Sequence, residues 1–234
     1  MRINERHSWQ LAITEAKEIQ IKLAAEVSRV CNITAPRFIA GVDISVNRWT
    51  KTGTGAVVIL SYPDLEIVEI KTVTDRVSFP YVPGLLSFRE MPLLLAAFEK
   101  IEFAPDLVLV DGQGIAHPRR MGIASHLGLL LGIPTIGCAK SRLCGEHDVP
   151  DNVAGSYTEL KDDEEVIGAV LRTKNNVKPL YISIGHMIDL PLAIRWVMAC
   201  CRGYRLPEPT RLAHQAAGGN LKTENKAALA GTKY

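Results

Sequence analysis

The segment PDLVLVDGQG, residues 105–114, constrains the fold of this 234-residue chain more than any other stretch. Its four consecutive apolar residues, Leu107–Val110, include two β-branched side chains and no polar break, which predicts a strand buried on both faces of a largely parallel sheet. Asp111 then falls at the carboxyl end of that strand, the edge where open α/β sheets bind their ligands. An Asp-Gly pair alone indicates only a turn, so the prediction of a site rests on other acidic residues.

The elements before this strand predict a helix, three strands and a second helix. Apolar residues recur at helical spacing over residues 9–30. Residues 38–46, 53–61 and 65–74 have strand patterns, and their short links are typical of an antiparallel meander. Helical character returns over residues 85–98 after a loop bracketed by prolines. The sequence contains no internal repeat.

The remaining chain is predicted to form helices over residues 121–131, 191–201 and 210–217, and strands over residues 135–139, 155–160, 165–173 and 179–184. We therefore predict an α/β fold with a mixed central sheet of order 3-2-1-4-5, flanked by helices. Residues 1–217 are expected to form one domain, and residues 218–234 a disordered tail.

Composition limits the class of protein but not its partner. A net charge of +2 is too mild to indicate nucleic-acid binding. Five cysteines without a C-x-x-C spacing indicate reduced thiols in a cytosolic protein. The longest apolar run, residues 127–139, is too short and too interrupted to cross a membrane. We expect a cytoplasmic monomer with no membrane partner.

Three carboxylates suggest chemistry. Asp43 interrupts an apolar strand, Glu90 lies early in the following helix, and Asp111 ends the next strand. In the predicted order the first and fourth strands are neighbours, so Asp43 and Asp111 can face each other. A salt bridge could neutralise each one, but converging carboxylates also suit a hard divalent cation such as Mg²⁺ or Mn²⁺. Two such ions about 4 Å apart would promote phosphodiester hydrolysis.

The order of these elements and acidic residues resembles the ribonuclease H-like nuclease fold. The resemblance extends to the motifs GVDISV, FPYVPGLLSFRE, PDLVLVDGQGIAHPRRMGIASHLG and GIPTIGCAKSRL, and it covers the chain from about Arg37 to His214. These motifs are long, and together they are similar to those of the endonuclease V family, the nucleases directed at deoxyinosine. Every position that we assign to catalysis matches.

The resemblance implies Mg²⁺-dependent hydrolysis, with Mn²⁺ as a substitute, of the second phosphodiester bond 3′ to deoxyinosine. The products carry 3′-hydroxyl and 5′-phosphate ends. Carried over by position, Asp43 and Asp111 are metal ligands, and Glu90 is a ligand or holds water beside the metal. His214 orients the attacking water or takes its proton. Lys140 neutralises charge on the scissile phosphate.

Substrate binding is predicted to centre on the loop formed by Pro80, Tyr81, Val82 and Pro83. Two prolines make this loop stiff, so it could wedge into a duplex from which a base has been extruded. The alternative is that Tyr81 packs on the core.

The extruded base would meet backbone at three glycines and apolar walls at two further residues. Hypoxanthine carries an acceptor at O6 and a donor at N1, so one backbone N–H and one carbonyl could distinguish it from adenine. His117 is predicted to contact phosphate. The pocket residues are Gly84, Gly112 and Gly122, with Leu86 and Ile123 as the walls.

The other histidines suggest no second site. His126 is predicted to be packed in the interior, and His7 and His147 to be exposed. For His186, an approach to the site from a late strand is the weaker of two interpretations.

Three other function classes are alternatives to a deoxyinosine-directed nuclease. An actin-like or sugar-kinase ATPase lacks support, because the chain has neither a duplicated domain nor a G-x-x-x-x-G-K-[ST] loop. A nucleic-acid-binding module without activity would not require all three carboxylates. A nuclease for inosine-containing RNA, or for branched or mismatched DNA, remains open.

Overall fold

The computed structural model describes residues 1–30, 33, 35–47 and 49–221. The predicted tail therefore falls largely on residues 222–234, outside the described residues. The helices are α1 (Ile13–Ala24), α2 (Leu86–Phe98), α3 (Ile123–Leu131), α4 (Leu190–Ala199) and α5 (Glu208–Ala217). The strands are β1 (Phe38–Asn47), β2 (Thr52–Ser61), β3 (Ile67–Arg76), β4 (Leu107–Val110), β5 (Thr135–Ala139), β6 (Tyr157–Asp162), β7 (Glu165–Leu171) and β8 (Leu180–His186).

All eight strands form one mixed sheet of order β3-β2-β1-β4-β5-β8-β7-β6. Strands β1 to β3 form the predicted antiparallel meander. Strand β4 runs parallel to both β1 and β5, and each parallel connection contains a helix, α2 or α3. The predicted order 3-2-1-4-5 is confirmed, and β8, β7 and β6 extend it in antiparallel fashion.

The sheet separates two hydrophobic layers. Because side chains alternate along a strand, Ile39, Leu107 and Leu109 face one side, where α4 and α5 pack. Val42 and Val108 face the other side, against α2 and α3. Strand β4 is thus buried on both faces, as its unbroken apolar sequence predicts.

The first helix is shorter than its apolar spacing predicts. Helix α1 covers Ile13–Ala24 instead of residues 9–30. Trp9 and Val27 still pack against hydrophobic clusters, but from irregular backbone on either side of the helix. The apolar residues that are buried on either side of α1 therefore continue the helical spacing in the sequence beyond the residues that are helical in the structure. The other predicted elements agree with the observed ones within two or three residues at each end.

Two features of the described residues bear on the environment of the protein. Cys138, Cys144, Cys200 and Cys201 are free thiols, and Cys31 lies outside the described residues. In the described part of the chain, no helix has both the length and the apolar character required to cross a bilayer.

Candidate active site

Asp43 and Asp111 lie side by side because β1 and β4 are adjacent parallel strands. Val42 pairs with Val110, and the Asp111 backbone N–H donates to the Val42 carbonyl at 3.1 Å. Both aspartates continue the alternate positions that face α5, and their side chains are only 12% and 9% exposed. The sheet register therefore brings two carboxylates together at the edge that the sequence predicts.

His214 reaches this pair from α5. Its Nδ1 lies 2.6 Å from Oδ2 of Asp43, and since a carboxylate can only accept, Nδ1 carries the proton. In the neutral ring, Nε2 is then left as an acceptor. The close approach of α5 to β1 depends on Gly41, because a Cβ there would lie 1.8 Å from the Pro209 carbonyl oxygen.

Lys140 contacts the same pair from the end of β5. Its ammonium forms an ion pair with Oδ2 of Asp111. Burial, and then the charge of Asp43, raises the pKa of Asp111, although Lys140 opposes the shift. The cluster therefore has negative charge that the described residues do not fully compensate.

Glu90 lies on α2, across the sheet from α5. Burial is the main cause that raises its pKa to about 8, with a further contribution from Asp43. Its carboxyl is therefore mostly neutral at pH 7. Ligand atoms of Asp43, Asp111 and His214 all lie within 4.8 Å of one another, and Glu90 is not in this group.

The group formed by Asp43, Asp111 and His214 fits a divalent cation. Carboxylate oxygens are the ligands that hard cations prefer. A cation would compensate the negative charge of these two carboxylates, which lie so close that, after burial, the charge of Asp43 is the next cause that raises the pKa of Asp111. The two aspartates predicted as ligands are thus placed together, whereas Glu90 is placed to approach them from the other face of the sheet.

A cavity of about 440 Å³ opens directly beside the carboxylates. Nine of the ten residues predicted to bind substrate line it, and only Pro80 does not. Asp111 and Lys140 are also in the wall, so the cavity and the acidic cluster are continuous. The lining residues that the sequence did not predict are Gln20, Ser87, Gln113, Met121, Ala139, Ser141, Arg142 and Leu143.

The floor of this cavity is built around the carbonyl of Gly84, whose φ of +78° suits glycine. The carbonyl accepts hydrogen bonds from Gln20 Nε2 at 3.0 Å, His117 Nε2 at 3.0 Å and an Arg119 guanidinium nitrogen at 2.9 Å. Gln20 also donates to the Met121 carbonyl at 2.6 Å. A buried glutamine on a helix is the one local sign of this arrangement, but its partners lie far away in sequence.

His117 is bonded within the protein at both ring nitrogens. Nδ1 accepts from the Arg119 backbone N–H at 3.1 Å, so Nε2 carries the hydrogen donated to Gly84. Burial lowers the pKa of His117 to about 4, with the charge of Arg119 acting in the same direction. The ring is therefore neutral, and its geometry is that of a support for the cavity. Its predicted contact with phosphate stays a prediction.

Tyr81 stands at the mouth of the cavity and is 71% exposed. The alternative prediction, that Tyr81 packs on the core, is therefore wrong. Its neighbour Phe79 is buried instead, packed against Phe88. Val82 also packs on this cluster, so the loop is anchored from below while Tyr81 projects.

Of the remaining histidines, His126 is fully buried, as predicted. His7 was predicted to be exposed, but it is half-buried, with Nε2 2.9 Å from His126 Nε2. His147 is also half-buried, against the ring of Tyr181. These two predictions were wrong because the polar residues near each histidine in the sequence do not reveal which aromatic rings pack against it in the fold. His186 pairs with Thr135 at the start of β5, the opposite end from Lys140, so it does not approach the site.

Sequence comparison places the chain among known nucleases. A family model described as Endonuclease V matches residues 21–215. Endonuclease V of Dehalococcoides mccartyi is 52% identical over 217 residues, which cover 93% of this chain and 97% of that protein. Endonuclease V of Gloeobacter violaceus is 54% identical over 211 residues, which cover 89% of this chain and 86% of that protein.

Solved structures agree with this placement. The crystal structure of endonuclease V from Bacillus subtilis has a TM-score of 0.89 at 32% identity, covering 94% of this chain and 96% of that one. The Ciona intestinalis endonuclease V, crystallised with a 24mer DNA containing an inosine followed by a ribo-adenosine, has a TM-score of 0.78 at 27% identity, covering 88% and 96%. This ribonuclease H-like chain belongs to the endonuclease V family.

Proposed function

We propose that the protein is a DNA repair endonuclease that recognises deoxyinosine and hydrolyses the second phosphodiester bond on its 3′ side, leaving 3′-hydroxyl and 5′-phosphate ends. The observation that carries the proposal is the continuity of the cavity with the carboxylate pair, since Asp111 and Lys140 belong to both. A base held in the cavity thereby brings a nearby phosphate to the cluster. The inosine-containing DNA bound by the Ciona relative supports this substrate.

The proposed chemistry is assigned to the charged residues at the sheet edge. Asp43 and Asp111 would hold Mg²⁺, for which Mn²⁺ could substitute, and the cation would supply Lewis-acid stabilisation of phosphate charge. His214, protonated at Nδ1 through its contact with Asp43, presents Nε2 to orient water or accept its proton. The ammonium of Lys140, which is ion-paired with Asp111, neutralises negative charge on the scissile phosphate when the substrate binds. Glu90 supports the cluster from α2.

Base recognition is assigned to the cavity. Gly84, Gly112 and Gly122 contribute backbone to the cavity wall that meets the base, and Leu86 and Ile123 form apolar walls. The hydrogen bonds on the Gly84 carbonyl hold the loop in shape before substrate arrives. Such preorganisation reduces the entropic cost of binding. Tyr81 fills the gap that the extruded base leaves.

Inosine-containing RNA is the second candidate substrate. The observation that favours it is the ribo-adenosine after inosine in the ligand of the Ciona relative. The same catalytic groups would also cut branched or mismatched DNA if it reached them, and these substrates belong in the test.

We further propose that residues 1–217 form a single nuclease domain, which the uninterrupted eight-stranded sheet supports. The cytoplasmic location and the monomeric state stay predictions.

The deciding experiment offers end-labelled single strands and duplexes of DNA and RNA, each with and without one inosine. The proposal expects cleavage of inosine-containing DNA between the first and second nucleotides on the 3′ side of the inosine, dependent on Mg²⁺ and restored by Mn²⁺ after chelation. Binding without cleavage would support the non-enzymatic alternative. Cleavage confined to RNA, or independent of inosine, would contradict the proposed substrate.

A further inference from the structure

Trp49 is 94% exposed, more than any other large apolar side chain among the described residues. It lies in the turn between β1 and β2. Trp is enriched at binding surfaces, so an exposed tryptophan is a candidate for a contact with a partner. The other two tryptophans, Trp9 and Trp196, pack against hydrophobic clusters.

The turn that carries Trp49 is fixed by hydrogen bonds. Oδ1 of Asn47 accepts from the backbone N–H groups of Trp49 at 2.9 Å and Thr50 at 3.2 Å. The Lys51 N–H donates to the Asn47 carbonyl at 3.0 Å. These hydrogen bonds tie the backbone around Trp49 to Asn47, while the side chain of Trp49 stays exposed.

This turn is the tip of an arm that extends past the active site. Strand β4 ends at Val110, level with Val42, but β1 continues to Asn47 and is paired there only with β2. Four residues beyond Asp43 at about 3.3 Å each give a projection of roughly 13 Å. The turn adds further reach at the same edge of the sheet.

The arm and the cavity both border the carboxylate pair. The strand order is β3-β2-β1-β4-β5, with the acidic cluster at β1 and β4. The cavity is lined by residues that follow β4 and β5, such as Gly112 and Lys140, and by the loop between β3 and α2. Since the arm projects at the same edge of the sheet, it offers a surface for the continuation of a nucleic-acid strand whose base lies in the cavity and whose phosphate lies at the cluster.

The charges on the arm suit that strand. Lys51 and Arg76 are exposed at its end, where Thr52 pairs with Arg76. Asp75 is also exposed there, and its Oδ1 accepts from the Arg76 backbone N–H at 2.6 Å. The end of the arm thus combines an aromatic face with two cations and one anion, a composition suited to a base and its phosphates.

We propose that the β1–β2 arm binds the substrate strand beyond the scissile phosphate. Trp49 then stacks on a base about four to six nucleotides from the cut. This inference rests on the proposed function, which makes the contacted segment the 3′ flank. The arm then contributes affinity and direction without touching the reacting atoms.

The test compares inosine duplexes whose 3′ flank beyond the cut is about three or about twelve base pairs long, with a constant 5′ flank. Binding is measured in EDTA so that the strand is not cut. On the long flank, Trp49→Ala should bind about tenfold more weakly than wild type, while Trp49→Phe should retain most of the affinity. On the short flank, Trp49→Ala and wild type should bind equally.

Tyr157→Ala is the matched control, because Tyr157 is a 53% exposed aromatic residue on the far edge strand β6. It should match wild type on both duplexes. The emission of Trp49 should be quenched only by the long duplex. Equal losses for Trp49→Ala on both duplexes, or no loss, would overturn the inference and leave the proposed function intact.

A change from dimer to monomer in Trp49→Ala would overturn it in favour of contact with a second copy of the chain. Wild-type protein that binds no inosine duplex would overturn the proposed function, and this inference with it.

Discussion

Asp43 is held at both of its oxygens. Oδ1 accepts from the Ile44 backbone N–H at 2.8 Å, and Oδ2 lies 2.6 Å from His214 Nδ1. Asp111 is held by its backbone, and its Oδ2 is ion-paired with the ammonium of Lys140. The two residues thus differ in what an amide substitution would disturb, although we expect the same functional loss from both.

Asp43→Asn and Asp111→Asn should each abolish cleavage while leaving folding and DNA affinity nearly intact. Each change removes a negative ligand, and Lewis-acid stabilisation of several kcal/mol corresponds to about a thousandfold or more in rate. The measurement is single-turnover cleavage of an inosine-containing strand. Thermal melts with and without Mg²⁺ are the control, since wild type should be stabilised by Mg²⁺ more than either variant. Cleavage by Asp43→Asn at the wild-type rate would refute the metal assignment.

Lys140→Ala and His214→Ala should slow the chemical step more than they weaken binding. For His214, loss of a general base predicts a decrease of about 10²- to 10⁴-fold in the single-turnover rate at saturating enzyme. Lys174→Ala, at an exposed lysine away from the cavity, is the matched control and should leave the rate unchanged. If affinity fell while the saturated rate stayed constant, both residues would be binding residues instead.

At the scale of elements, the loop between β3 and α2 combines a buried anchor with an exposed tip. Phe79 is 7% exposed and Tyr81 is 71% exposed, and the three hydrogen bonds on Gly84 close the loop. Because the loop backbone is already held in place, Tyr81 could enter a duplex without further ordering of the loop. The buried Phe79 serves the stability of the loop, and the exposed Tyr81 serves its function.

Tyr81→Ala should therefore melt like wild type but bind inosine-containing duplex more weakly, by about tenfold. The defect on single strands should be smaller, because no base pair has to be opened there. Phe79→Ala is the informative companion and should lower the melting temperature. Equal defects of Tyr81→Ala on duplex and single strand would reduce Tyr81 to a stacking contact.

The elements also show where sequence reasoning succeeded. Asp43 and Asp111 could be placed because strand alternation and parallel pairing are readable from short apolar runs. Glu90 stays predicted as a ligand or as a residue that holds water beside the metal, and its position on α2, on the other face of the sheet from α5, is one that no local pattern reveals. The partners of Gln20 are 64 and 101 residues away. The attachment of β8 to β5 depends on pairing of the same non-local kind.

For the whole molecule, buried ionisable groups give opposite pH signatures. Burial lowers the pKa of His126 to about 3 and raises that of Glu90 to about 8. Above the unfolded pKa of about 6.5, His126 is neutral in both states, and its burial does not lower the free energy of unfolding. As the pH falls from there toward 3, protonation in the unfolded state alone lowers that free energy. Glu90 behaves in the opposite way, because its carboxyl is neutral in both states below about pH 4.5, and the free energy of unfolding falls as the pH rises toward 8.

Between pH 7 and pH 5, His126→Leu should gain about 2 kcal/mol in free energy of unfolding relative to wild type, since only wild type must keep this histidine neutral. Denaturant unfolding at several pH values measures this difference. Phe88→Leu, at a buried ring 5.1 Å from His126, should differ from wild type by a constant amount. In metal-free buffer, Glu90→Gln should instead gain relative stability from pH 5 to pH 8. A difference for His126→Leu that did not vary with pH would contradict the assignment.

The contact between Gly41 and Pro209 seats α5 on β1, and through it His214 on Asp43. During synthesis, the ribosome adds Asp43 171 residues before His214, and Asp111 also precedes this histidine by a long stretch of chain. Domains fold as their segments become available. On the proposed role of His214, we expect a nascent chain that stops before residue 208 to fail to cut, because it lacks both this histidine and the helix that covers β1. The nuclease would then become active only after translation of its last described helix.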